Sequence, residues 1–427
     1  MQERDSQMSD PRPENLFRNR PPSPARGPFR LAESGFGRNF YESGVATLAE
    51  PFRGVRTKAP VEPDLFPIRP TGQSLLPVRD AARAFLASLP FNQYAQCLMG
   101  VDSDGWRTWH NLHTYVFRHG LCLFDLNEAQ RGLVMDLLRE SLSDHGFAMA
   151  RDVMRLNEHM GELRGRPDDY GEWFYWITLF GHPSATEPWG WQIDGHHLIV
   201  NCFILGDQIV TTPTFMGSEP VVAETGAHAG TRVFELEERL GWEVMNSLSP
   251  SQQAVARLGD VPPFDVFAHA FNDNLVLDYE GVAVASLDAP QRQAVVDLIL
   301  HYLKRDRPGH AEIRIAEVLS RLDETWFAWI GPCDDQGAFY YRVHNPLILI
   351  EFDHQPGVVY ANNEHSRRHA HTLVRTPNGN DYGKALLRQY YRQVDAEPLE
   401  GPGAAVRDLR TAKALGSAIE DLSRGDR

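Results

Sequence analysis

Apolar residues recur at helical spacing in several separate stretches of the chain. Residues 78–89 (VRDAARAFLASL) repeat them every three or four positions, which predicts an amphipathic helix. Residues 127–144 (NEAQRGLVMDLLRESLSD) do the same, with Asn127 placed to cap the start and Glu128 favourable in the first turn. Helices are also predicted over 147–163, 232–245, 249–257, 288–302 and 311–322, the Ser-Pro opening at 249 being a good helix start. A last helix over 382–391 follows the turn cluster Asn378-Gly379-Asn380-Asp381, where Asn380 or Asp381 can cap it. The remaining apolar runs are short and rich in aromatic and β-branched residues. They predict strands at 173–180, 191–205 and 208–212, with Gly206-Asp207 as a hairpin turn, and at 275–279 and 282–285. Further strands are predicted at 326–330, 339–344, 347–352, 358–360 and 369–375, and residues 105–120, with Trp106, Trp109, Tyr115 and Phe117, read as strands or a hairpin. The sum is an α+β fold with mostly antiparallel sheet flanked by helices. No internal repeat is read from the sequence.

The ends differ in character. Residues 1–75 are rich in Pro, Arg, Gly and Ser, so 1–45 is expected to be mostly disordered and 60–77 extended against the domain. The organisation read from this is a disordered or extended segment at 1–75, one α+β domain at 76–396 and a polar tail at 397–427.

Bulk properties narrow the chemistry. The formal net charge is -15, which disfavours nucleic acid and anionic membrane as general partners. The four cysteines, Cys97, Cys122, Cys202 and Cys333, form no C-x-x-C pair and suggest neither a disulfide framework nor a zinc cluster. No apolar leader follows the first residues and no run approaches membrane-spanning length, so a cytoplasmic protein is expected.

Three segments carry candidate chemistry. In the run HAHT, His369 and His371 share one face of a strand with Leu373 and Arg375, a spacing that lets two imidazoles meet one ion. In Glu351-Phe352-Asp353-His354, the two carboxylates share a face and can serve as ligands, as partners of histidines or as a general base, while His354 faces the other way. In Gly195-His196-His197-Leu198, read as strand, the two histidines point to opposite faces. His197 lies with Asn201, a polar group that packing alone does not need, and is favoured over His196. The plain alternatives are buried histidines bonded to backbone and acids that meet water. Arg375, before Asn378 and Asp381, can hold a substrate carboxylate or phosphate, or pair internally with Asp381. No phosphate loop, dinucleotide fingerprint or nucleophile elbow occurs.

The runs PWGWQIDGHHLIVN, TPTFMGSEP, FAWIGP, FYYRVHNPLILIEFDHQPG and HAHTLVRTPNGNDYG together resemble the uncharacterised DUF3500 family, over roughly residues 81–391. The resemblance implies no activity. It places His196, His197, Glu351, Asp353, His369, His371 and Arg375 inside the family's motifs. Many members of that family carry an export signal, whereas this sequence shows none, and the Pro/Arg-rich N-terminal segment is not part of the family pattern.

Two functional readings follow. One is a metal-dependent enzyme acting on a small, anionic organic substrate. His197, His369 and His371 would hold a divalent transition metal (zinc, iron or copper). Glu351, Asp353 and Arg375 would act in catalysis, and His196, Asn201, His354, Asn378 and Asp381 would line the substrate or support the ligands. Its chemistry is either hydrolysis or oxygen activation. The other is a non-catalytic small-molecule-binding protein with a pocket lined by histidine and acid.

Overall fold

The structure, a computed structural model, describes residues 35–112, 119–357, 359–360 and 363–396. The described residues up to Leu386 form one compact unit; the second begins at Leu387, and its described part is the end of the helix Lys384–Ala396. The α+β expectation holds: ten helices accompany one thirteen-stranded, mostly antiparallel sheet among the described residues. No described helix is long and apolar enough to cross a membrane.

The strands are β1 (Leu98–Met99), β2 (Leu121–Cys122), β3 (Tyr175–Phe180), β4 (Trp189–Gly195), β5 (Leu198–Leu205), β6 (Gln208–Val210) and β7 (Thr214–Ser218). They continue as β8 (Arg257–Gly259), β9 (Val282–Ala283), β10 (Trp326–Ile330), β11 (Tyr340–Asn345), β12 (Ile348–Pro356) and β13 (His365–Arg375). The sheet order is β1-β3-β4-β5-β7-β13-β12-β11-β10-β8, with β2 on β3, β6 on β5 and β9 on β10.

That order is a palindrome about the β7–β13 pair, and it overturns the expectation of no internal repeat. Each half runs helix, short helix, edge strand, paired short strand, two helices and an antiparallel meander. The edge strands β1 and β8 both pair in parallel, with β3 and β10 respectively. The details repeat as well. Asn127 and Gln130 form a capping box with bonds of 2.9 and 3.1 Å, and Asp288 and Gln291 form its counterpart with the same two lengths. The Gln130 side chain donates to the Ser88 carbonyl, and that of Gln291 to the Ser247 carbonyl. Gly120 and Gly281 both have positive φ, and a Cβ on either would run into a carbonyl of β3 or β10. The duplication escaped the sequence reading because it survives in caps and turn positions. Its period is far longer than that of stacked short repeats.

The sheet's two faces differ. Ile177, Ile193, Val200, Ile350 and Phe352 lie on the face that joins the helices in the main core. Each such buried side chain contributes about 1.5–3 kcal/mol relative to exposure. The opposite face holds buried polar groups in register: Gln192 beside Asn201, Arg342 beside Glu351, and Asp353 beside His371. Buried polar groups cost free energy unless partnered.

Several local expectations change. The disordered reading of 1–45 meets a helix at Gly35–Leu48, while residues 1–34 and the tail from 397 lie outside the described residues. Where a hairpin was expected at 105–120 there is a short 3-10 helix, Asp104–Arg107, and residues 113–118 lie outside the described residues. The 275–279 strand shrinks to a bridge between Val276 and Arg56. Residues 359–360 are bent, and residue 358 lies outside the described residues.

Candidate metal centre

His196 and His197 are not in a strand. They are the two central residues of the turn joining β4 to β5, and His197 has φ +63°. Histidine tolerates the left-handed region better than most side chains. The turn is pinned at both ends of His197: its N–H donates to the Asn111 carbonyl at 3.3 Å, and its carbonyl accepts from Gly217 at 2.8 Å. The imidazole therefore swings over β7 toward β13, where alternation sends His369 and His371 to the same face.

The three Nε2 atoms form a nearly equilateral triangle. The separations are 3.3 Å between His369 and His197, 3.1 Å between His369 and His371, and 3.3 Å between His371 and His197. All three residues are buried. His369 Nδ1 lies 2.9 Å from the Pro356 carbonyl, which can only accept, so Nδ1 carries the proton and Nε2 a lone pair. His371 Nδ1 lies 3.0 Å from Asp265 Oδ1, which fixes that ring in the same sense. Burial, then the proximity of His371, holds His369 well below the usual histidine range, so it is neutral. Two lone pairs thus face each other at 3.1 Å, an arrangement that needs something positive between them. A tetrahedral ion with metal–nitrogen bonds of about 2.0–2.1 Å sets its ligand nitrogens about 3.3–3.4 Å apart. The His197, His369 and His371 group could hold such an ion.

Gly217 makes the convergence possible. A Cβ there would lie 2.6 Å from His371 Cδ2 and 3.2 Å from His197 Cδ2. His196 stacks on His197 with ring centres 3.9 Å apart, and its Nδ1 lies 2.7 Å from Asn157 Oδ1. Burial, with His371 and His110 close by, lowers His196 to about 3. Asp353 is wholly buried, with Oδ1 3.8 Å from His371 Nδ1. Burial and the charges of Asp265 and Glu351 push its carboxyl well above the usual range. Burial opposes ionisation of Asp265 too, but the His371 imidazole holds it below its ordinary value.

The duplication supplies an internal control. Leu198 and Ile348 begin corresponding strands, so Phe203 corresponds to Asp353. Phe203 pairs with Val210 as Asp353 pairs with His371. Val210 therefore stands for His371, Gln208 for His369 and Leu347 for His197. The corresponding corner of the fold is built without a single one of these imidazoles, and Leu347 there lacks the positive φ that aims His197.

The family model described as protein of unknown function (DUF3500) matches residues 71–384, most of the chain. The chain belongs to the DUF3500 family. The three histidines and Asp265, Asp353 and Gly217 all lie inside the matched span of this DUF3500 chain. No curated protein and no solved structure matches it.

Other candidate residues lie away from the triangle. Glu351 accepts from the Phe267 N–H at 2.7 Å, the Ala268 N–H at 2.9 Å and the Tyr340 hydroxyl at 2.8 Å. It fastens the loop that carries Asp265. Arg375 clamps the same loop, donating to the Ala268 carbonyl at 2.8 Å and pairing with Asp381 at 2.9 Å, both partners wholly buried. Its guanidinium is spent inside the protein, so the internal pair anticipated for it is the arrangement found. Asn201 bridges Gln192 and the Pro213 carbonyl, both at 2.7 Å. His354 sits on the opposite face between the Phe339 N–H and Glu238, and Asn378 occupies a turn with φ +62° and donates to the Pro346 carbonyl. The sequence reading missed Asp265, Gly217 and Asn157. Asp265 lies in an irregular loop with no periodic signal, and Gly217 was visible only as part of a motif.

Proposed function

We propose that this DUF3500 chain is a metal-dependent enzyme in which His197, His369 and His371 hold a divalent ion, zinc by preference, for hydrolysis of a small anionic substrate. The observation that carries the reading is the 3.1–3.3 Å triangle of Nε2 atoms, with the His369 and His371 lone pairs turned inward. Three neutral nitrogens with no carboxylate among them match the three-ligand catalytic zinc class. They depart from the two-histidine, one-carboxylate pattern of oxygen-activating iron. An ion held there supplies Lewis acidity toward a water or a substrate oxygen.

The protein's own groups do the rest. Asp265 keeps the His371 ring oriented and its Nε2 basic, as carboxylates behind zinc-bound histidines do. The Pro356 carbonyl does the same for His369. His196 and Asn157 form a neutral polar wall beside His197. A neutral ligand set leaves the positive charge of the ion to attract an anion, which supports an anionic substrate even though Arg375 is committed elsewhere. Elemental analysis of untagged full-length protein tests the reading. At least about one equivalent of zinc, with the triangle's equivalent lost in both His369→Ala and His371→Ala and circular dichroism unchanged, is expected. Less than about one-tenth of an equivalent of any transition metal in the wild type overturns it.

A further inference from the structure

Behind the triangle, on the far side of the His371 ring, lies a second group of acidic ligands. His371 Nδ1 is 3.0 Å from Asp265 Oδ1 and 3.8 Å from Asp353 Oδ1, and the three atoms lie within 4.8 Å of one another. Asp353 is fully buried, and its Oδ1 has no hydrogen-bond partner, while its Oδ2 accepts from the Gln355 side chain. Nearby Glu351 is occupied on both oxygens by the Phe267, Ala268 and Tyr340 donors. A buried carboxylate oxygen without a protein partner calls for an ion, a water or a proton.

We propose that Asp265, Asp353 and His371 Nδ1 form a second divalent-cation site, with the His371 imidazole bridging it to the ion of the histidine triangle. The proposal rests on the reading of that triangle as a metal centre. A tetrahedral ion with bonds of about 2.0–2.1 Å sets its ligands about 3.3–3.4 Å apart, and the two carboxylate oxygens stand either side of that separation from Nδ1. The step is a proton exchange: the Nδ1–H bond breaks, the proton leaves to solvent, and the nitrogen lone pair binds the second ion. No electron is transferred. Asp265, ionised Asp353 and the deprotonated ring carry three negative charges, so two divalent ions leave the paired sites with one net positive charge. The competing occupant is a proton on Asp353, which burial and the neighbouring carboxylates favour when no ion is present.

Zinc titration of chelator-stripped, untagged full-length protein decides the matter, with bound zinc counted after desalting. The wild type is expected to bind about two ions, and Asp353→Asn about one, at the triangle. Asp265→Asn is also expected to bind one, which keeps the test standing if Asp353→Asn does not fold by circular dichroism. One ion in the wild type overturns the second site and leaves the triangle intact. Two ions in both folded variants overturn the assignment to these carboxylates. No zinc in the wild type overturns the triangle and the second site together.

Discussion

Gly217→Ala is a single-methyl test of the histidine triangle. The added Cβ would sit 2.6 Å from His371 Cδ2, 3.2 Å from His197 Cδ2 and 3.1 Å from the Ala370 carbonyl oxygen. Carbon–carbon contacts settle at about 3.5–4.0 Å, so the His371 ring must retreat by about 1 Å. Metal–ligand distances tolerate only about 0.2 Å before binding weakens. The strand pairing of Gly217 with His371 persists in the variant, because alanine is compatible with strand backbone. Two effects are expected. Overpacking costs about 1–3 kcal/mol of apo-protein stability. Zinc affinity falls at least as far as for loss of a supporting contact, about 10–100-fold. Competition with a chromophoric chelator measures the second, and urea unfolding in excess chelator measures the first. Unchanged zinc affinity would refute the convergence of the two rings on one ion.

Three further outcomes follow from the same contacts. The triple variant His197→Leu, His369→Gln, His371→Val copies the residues of the corresponding corner in the other half; it should fold, lose all bound metal, and match the chelated wild type within about 1–2 kcal/mol by urea unfolding. Arg375→Ala leaves Asp381 buried and unpaired and should cost about 3–5 kcal/mol, read as a lowered urea midpoint. Glu237 has its pKa lowered to about 2: burial opposes this, but Arg305 and His301 outweigh it. Its contribution is therefore present above the unfolded value near 4.5 and is lost as pH falls toward about 2, so Glu237→Gln should flatten the stability–pH curve in that window, checked by thermal melts.

Much of the fold was written in short-range signals. The Asn127 and Ser249 caps, the alternation in 369–375 and the Gly206 turn each depend on a few adjacent residues, and the structure has each of them. His369 and His371 were readable because a strand puts every second residue on one face. His197 was singled out for a companion, Asn201, that lies elsewhere, and for a strand that is a turn. The positive φ that aims its ring depends on the Asn111 and Gly217 contacts, which are remote in sequence. Asp265 carries no periodicity because its loop is shaped by Glu351 and Arg375, both far along the chain. The duplication stayed hidden because each half kept its caps and strand pairings while its side chains diverged.

X-ray absorption at the zinc edge of the untagged protein reads the ligands of the triangle's ion. Three imidazole nitrogens at about 2.0–2.1 Å, with the outer-ring scattering of histidine, are expected in the wild type. His371→Ala should remove that signal. A metal-free protein, or an ion surrounded by oxygen with no more than one imidazole, would contradict the three-histidine centre.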